Sequence, residues 1–597
     1  MINISENPFT VHSPDALDQV PPETIVNLFV EKHTRFSAIN QQKHSFLWGS
    51  RGSGKSFILR YMEPQCQFIE AGGVEEFFDT NDPYIGIYTP CSKGEIDKEE
   101  LTLLSDAEGR VITEHLLNLS IAEEVTSALS TQFPSDYLNQ DDKEEFAKRA
   151  ANLFDTASIA ASKNRADDYY NRSDSPLKWL NRLFEEEKRR VTHYLNKVPF
   201  TDDARYKGAT SGYHDFLLPL ISNVQKLLRQ PNVPIYILLD DAFHLTKRQQ
   251  QVVNTWIANR DQGTICVKVS SSKERYETFN TVGRGRIEIP HDYTEVSIDE
   301  IYTRNDSNYA QKVSEIANKR LELSDIPADS IEDFLPKNEF EQELLEEIKK
   351  QVEREWEEKG QPGERSDFIN RYASARLFQE LANRKNRKSY AGFENLVHIS
   401  SGRIRYFLDP CFLMVEELKS NGVDIEEMEE IPPNIQDKIL REYSRDLLIG
   451  EPEKMKKDLK PERRSQLDKL ITLIKSLGQL FYNRLHDEDS REPRIFSFTV
   501  REEIDEDSEV KSVLELGRTM QYFQKDTYSS KDGGGREDWY ILNRRLAPQF
   551  KIDPSGFQGR IRLTQRQLEE GCNDPQEFVR RVLGDDERQS GLEDFNQ

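Results

Sequence analysis

Residues Gly49-Ser50-Arg51-Gly52-Ser53-Gly54-Lys55-Ser56 run in the pattern GxxxxGK[ST], and each residue type in it has a physical task. Glycines let a loop curl until several backbone N–H groups point at phosphate oxygens, and the start of a following helix adds its positive end. Lys55 is placed to reach the β and γ phosphates, and the Ser56 hydroxyl to ligate Mg²⁺. Phosphoryl transfer on such a loop also needs a carboxylate from a second strand. Ile235-Tyr236-Ile237-Leu238-Leu239 supplies an apolar strand that ends in Asp240 and Asp241. Asp240 is the candidate for the magnesium shell and Asp241 the candidate to polarise an attacking water. The chemistry implied is binding of ATP with Mg²⁺ and in-line attack of water on the γ-phosphate, with Lys55 stabilising the developing charge. His244 and His398 stand in no Ser/His/Asp arrangement and no metal-ligand spacing, so core or surface roles are expected for both.

These residues act together only if strands and helices hold them. Phe46-Leu47-Trp48 reads as a strand before the loop, and Lys55 to about Met62 as a helix after it. Further strands are expected at 84–89, 233–241 and 265–272, the last two as buried apolar runs. Strands alternating with helical segments imply a parallel α/β sheet. Prolines open an amphipathic helix within 21–38. The interval from about 97 to 230 is helical in pattern and too long for a plain βαβ crossover, so a helical insertion is expected there.

Beyond residue 300 the chain turns helical and acidic. Residues 338–360 carry Glu and Lys at helical spacings and read as a solvated helix, followed by a turn at Gly360–Glu364. After about 465 a helix, the strand-like 495–500, a second helix, the loop SSKDGGGRED and the strand WYILN suggest a winged helix-turn-helix. The expected organisation is therefore an N-terminal segment and helix over 1–40, an α/β P-loop NTPase core over 41–300, an all-α lid domain over 301–425, a charged linker over 426–464, and a winged-helix-like α+β domain over 465–597.

The chain of 597 residues carries 106 acidic and 81 basic side chains, a net charge of −25, and its length suits roughly four structural units. That balance excludes a polybasic nucleic-acid or membrane-surface protein as a description of the whole chain. No run approaches the roughly 18 apolar residues of a membrane helix, and the first residues lack the charged and apolar regions of a secretory signal. The five scattered cysteines form no CxxC, which points to a reducing cytoplasm and away from structural zinc. Charge is uneven, however. Residues 525–566 hold nine basic side chains against five acids, and Lys531, Arg536, Arg544 and Arg545 there are candidates to track a DNA backbone.

The P-loop, the Asp240-Asp241 pair, the polar end of the 265–272 strand and the segment Ser401-Gly402-Arg403-Ile404-Arg405-Tyr406-Phe407-Leu408 together resemble the AAA+ ATPases of the bacterial origin-recognition and cell-division-cycle initiator type, which are related to STAND-type NTPases. The resemblance implies that Ser270 or Ser271 is the polar sensor beside the γ-phosphate, where the family more often has Asn or Thr. It implies that Arg405 is the lid arginine that contacts the γ-phosphate, and that Asn7-Pro8-Phe9 lies on the adenine side. In a ring-forming homo-oligomer Arg260 is the candidate trans-acting arginine finger, its plainer role being a charge at a helix C-terminus. Many related ATPases have Glu where this chain has Asp241, so the hydrolysis rate stays open.

Two outputs fit such a nucleotide cycle. Lid closure could position the C-terminal winged helix on DNA. Alternatively the chain is a STAND-like switch in bacterial antiviral defence that senses a partner protein and activates a separate effector, since no nuclease, protease, deaminase or TIR-like signature is present in it. A slow or inactive ATP-bound scaffold is a third reading.

Overall fold

The computed structural model describes residues 4–12, 14–32, 34–92, 98–133, 137–157, 175–200, 205–259, 263–298, 308–361, 363–487, 490, 492–500, 504–529, 536–556 and 559–593. The chain divides into two compact units. The first spans Pro14–Asp299, and the second joins Ile2–Ser13 to Glu300–Gln597.

In the first unit, strands β1 (Ser45–Trp48), β2 (Ile85–Pro90), β3 (Ile235–Asp240), β4 (Ile265–Ser271) and β5 (Thr294–Ser297) form one sheet in the order β2-β3-β4-β1-β5. Every pairing is parallel. Side chains of β1, β3 and β4 are buried throughout, as expected of central strands covered on both faces. Parallel strands place all their C-terminal ends at one edge, and ligands of open α/β sheets bind at that edge. The loops after β1, β2, β3 and β4 therefore meet there.

The expected insertion contains the helices Asp106–Gln132, Gln140–Thr156, Pro176–Leu195 and Leu218–Leu227. Pro176–Leu195 opens with proline at its first position and buries Leu177, Leu180, Phe184, Val191 and Leu195, a helical stripe facing the core. An ion pair from Lys188 to Glu123 fastens it to Asp106–Gln132.

In the second unit one continuous hydrophobic core runs from Phe9 through Phe334, Phe407, Leu440, Leu477 and Phe498 to Val582. The segments expected as lid, linker and C-terminal domain thus share one interior. Glu339–Glu358, expected as a solvated helix, is solvated on one side only. Leu344, Ile348 and Val352 pack against Ala373, Leu377 and Leu381 of the helix Arg365–Asn383. A four-stranded sheet follows in the order β7-β8-β6-β9, made of β6 (Ile495–Val500), β7 (Phe523–Ser529), β8 (Arg536–Leu542) and β9 (Gly559–Leu563). Strands β7 and β8 form an antiparallel hairpin, and β6 pairs antiparallel with β8 and parallel with β9. Among the described residues one helix, Glu509–Thr519, lies between β6 and β7. It ends at Thr519, and Gln521, with a left-handed φ of 64°, turns the chain into β7. No helix of the described residues is long and apolar enough to cross a membrane.

Gly86 of β2 shows how closely the P-loop helix packs on the sheet. A Cβ there would run into the Met62 carbonyl oxygen and lie 3.1 Å from a Leu238 methyl. Gly86→Ala is expected to cost about 1–3 kcal/mol of stability through overpacking, whereas Gly263→Ala, with nothing within 4 Å of the new methyl, should stay within about 0.5 kcal/mol of wild type. Urea unfolding of the two variants measures the difference.

Candidate nucleotide site

β1 ends at Trp48, and the Gly49 N–H donates to the Ser271 carbonyl at 3.1 Å, so the glycine-rich loop starts beside the end of β4. Gly52 and Gly54 take φ values of 89° and 100°, a left-handed region that glycine enters without a Cβ clash. The turn delivers the chain into the helix Lys55–Tyr61. Lys55 is buried, and its ammonium donates to the carbonyls of Gly49 at 2.8 Å and Ser50 at 3.0 Å. The buried Ser53 hydroxyl has no hydrogen-bond partner. A loop that holds a lysine on its own carbonyls and leaves a buried hydroxyl unanswered fits a polyphosphate, whose oxygens accept from both groups. Ser56 is the second residue of the helix, at the mouth of the loop.

On the far side of β4, Asp240 closes β3 and is 3% exposed. Its Oδ1 accepts from the Ser270 hydroxyl and from the Asp241 N–H at 3.0 Å, and its Oδ2 accepts from the Tyr88 hydroxyl at 2.9 Å. Pairing of Leu47 with Ser270 and of Leu239 with Val269 brings these strand ends level. Of the two serines weighed from sequence, Ser270 faces Asp240, while the Ser271 hydroxyl turns to the Ser272 carbonyl at 3.3 Å. Asp241 sits in a left-handed conformation, φ 50° and ψ 46°. Burial and the neighbouring Asp240 charge raise its pKa, against the opposing pull of Lys55, His244 and Arg51. A carboxylate so raised is a better proton acceptor than an ordinary aspartate.

Two residues here were not singled out from the sequence. Tyr88 comes from β2, and burial together with Asp240 pushes its pKa far above the ordinary phenol value. The Arg275 guanidinium lies 3.5 Å over the Phe243 ring. Burial and Arg51 lower its pKa and Asp241 raises it, which places the three charges within electrostatic reach. The only sequence signal for Arg275 was a basic residue just past the polar end of β4. Beside Asp240 and Asp241 opens a cavity of about 460 Å³, lined also by Arg60, Tyr88, Glu124 and Ser127. The helix Asp106–Gln132 of the insertion therefore reaches that end of the sheet. Among the described residues no cluster of three or more His, Cys, Asp or Glu side chains could hold a metal ion.

The other sequence candidates are described within their own units. Arg405, second residue of the helix Ile404–Ser420, donates from Nε to the His12 carbonyl at 3.2 Å within the second unit. Asn7 and Phe9 are buried in that unit. Asn7 donates to the Glu416 carboxylate at 2.8 Å, and Phe9 stacks on Phe334 with ring centroids 6.3 Å apart. His398 is buried, its pKa lowered to about 4 by desolvation and by Arg544, whereas His244 is exposed. Arg260 and Lys531 fall outside the described residues, and Arg536 begins β8.

Arg544 and Arg545 need correction as DNA contacts. They are 3% and 5% exposed. Arg544 donates to the Pro554 carbonyl and lies 5.0 Å over the Phe496 ring. Arg545 donates to Glu451 at 3.1 Å and to the Tyr443 carbonyl at 3.0 Å, and stacks 3.5 Å over the Tyr443 ring. Both are internal struts, because a guanidinium that buries its plane against an aromatic ring loses little hydration. Other basic residues of the region are paired: Lys525 with Asp538 at 2.7 Å, Arg562 with Glu537 at 3.2 Å and Arg566 with Glu570 at 3.4 Å.

No curated protein matches the chain. A family does match, over residues 7–563, and so takes in the glycine-rich loop, the Asp240 edge, the Arg405 helix and nearly all of the second unit. A parallel sheet with its phosphate loop on β1 and its acidic pair on β3, carried on a match of that extent, settles the assignment: the chain belongs to the ORC-CDC6-like family.

Proposed function

We propose that the protein is a Mg²⁺-dependent AAA+ ATPase whose nucleotide state governs its second unit. The carrying observation is the convergence at one sheet edge of the Lys55 loop, the Asp240 carboxylate under Ser270 and Tyr88, and Asp241. In this reading Lys55 and the loop N–H groups bind the β and γ phosphates, and Ser56 and Asp240 hold the cation, which supplies charge neutralisation at the phosphates. Asp241 orients the attacking water and accepts its proton as the water oxygen bonds to the γ-phosphorus and the bond to the bridging oxygen breaks, leaving ADP and phosphate. Ser270 is proposed as the polar sensor. Arg405 is proposed as the lid arginine, and closure of the lid on ATP as the conformational output.

The first form of that output is DNA engagement, with Lys531 and Arg536 as the remaining contact candidates. A second form, a nucleotide-gated switch that senses a partner protein and activates a separate effector in antiviral defence, is favoured by a specific observation. Among the described basic side chains of residues 525–566, Arg544 and Arg545 are buried and Lys525, Arg562 and Arg566 are paired with acids, which leaves fewer cations to meet a phosphate backbone.

Lys55→Ala is expected to lower ATP turnover about 10²-fold or more. Asp241→Asn should lower it about 10²- to 10⁴-fold with nucleotide binding retained. Unchanged turnover in Lys55→Ala would end the ATPase reading. For the output, titration of duplex DNA against the ATP-bound protein at low salt separates the two forms. The DNA form expects binding that weakens with salt, with a log–log slope about one to two smaller in Lys531→Glu/Arg536→Glu. The switch form expects no binding.

A further inference from the structure

The two oxygens of Asp240 are held by donors from different strands. Ser270 on β4 and the Asp241 N–H hold Oδ1, and Tyr88 on β2 holds Oδ2. Tyr88 pairs with Leu238, two residues before Asp240, so its ring runs along the sheet toward the strand end and its hydroxyl meets the carboxylate there. The ring is itself fixed. The Arg60 guanidinium lies 4.4 Å from its centroid, and Arg60 is tied to Glu63 at 2.6 Å and to Asp18. Arg60 belongs to the same helix as Lys55 and Ser56. One helix thus presents the phosphate-binding lysine and the candidate cation-binding hydroxyl at its start, and near its end the guanidinium that fixes the tyrosine.

We propose that Tyr88 is a positioning residue for the magnesium-shell carboxylate, holding Asp240 through its hydroxyl in the orientation that binds the cation, with Arg60 fixing the tyrosine ring. The proposal rests on the nucleotide-site reading above. A carboxylate with a donor on each oxygen cannot rotate about its Cβ–Cγ bond without breaking one of them. Removing Oδ2's donor frees that rotation and loosens the cation. Outer hydrogen bonds of this kind are worth about 10- to 100-fold in metal affinity.

The test is binding of a fluorescent ADP derivative to the full chain, in EDTA and across a Mg²⁺ titration. Tyr88→Phe keeps the ring and its stack and removes only the donor. It is expected to bind nucleotide in EDTA within about twofold of wild type, and to need about tenfold more Mg²⁺ for the half-maximal gain in affinity. A residue that merely supports the fold would weaken binding in EDTA as well. A Tyr88→Phe titration superimposable on wild type would overturn the proposal, as would a wild-type affinity indifferent to Mg²⁺. If Tyr88→Phe fails to bind in EDTA, Arg60→Lys decides. It keeps a charge for Glu63 but loses the flat stack, and a several-fold shift in Mg²⁺ dependence supports the proposal where superposition refutes it. Because the readout is binding, failure of the hydrolysis assays with Lys55→Ala and Asp241→Asn would strike the ATPase reading separately.

Discussion

A carboxylate buried at the end of a parallel strand has to be answered by donors, since an unsolvated charge left alone costs several kcal/mol. Asp240 is that group, and the first unit is arranged around answering it. Its donors come from β2, from β4 and from the peptide after β3. The two side-chain donors, Tyr88 and Ser270, are in reach only because β3 lies between β2 and β4 and because the strands run parallel with their ends level. The same β4 touches the phosphate loop through the Ser271 carbonyl. Strand order therefore sets the spacing between loop and carboxylate, with β4 as the spacer: its Ser271 carbonyl meets the loop and its Ser270 hydroxyl meets Asp240.

This dependence explains what could be read from the chain and what could not. The loop Gly49–Ser56 and the Asp240-Asp241 pair were legible because their meaning is local: glycine, lysine and hydroxyl at fixed offsets, and an apolar run ending in acids. The strands β1 to β4 were legible from the same apolar runs. Tyr88 was not, because its role comes from a neighbour 152 residues away that only strand pairing supplies. Arg275 was hidden for a similar reason, its partner ring lying on the loop after β3. Strand β7 carries the adjacent charges Lys525 and Asp526, and β9 carries Arg560 and Arg562 at alternate positions. Without the hairpin around them they read as loop.

The sequence count of charge misled most in the second unit. It treated every arginine between 525 and 566 as surface, yet Arg544 and Arg545 lie inside, and Arg403 and Arg320 elsewhere in the unit are buried with them. Arg403 bonds to Tyr406 at 3.0 Å and Gln521 at 2.9 Å, and Arg320 holds the carbonyls of Pro8 and Val11 at 3.1 and 3.0 Å. Guanidinium suits this work because it offers several donors in one plane while its faces pack on rings. The arginines knit the N-terminal segment, the Ile404–Ser420 helix and the sheet region into one body. Arg405 sits on the helix that they pin.

That use of arginine bears on the partner. Each guanidinium spent on carbonyls and rings inside the second unit is a positive charge withdrawn from any face a partner could meet. Among the described residues eight basic side chains are buried against five acidic ones. The surface that remains is thus more acidic than the formal −25 conveys. A surface of that kind repels a polyanion over a Debye length of about 10 Å.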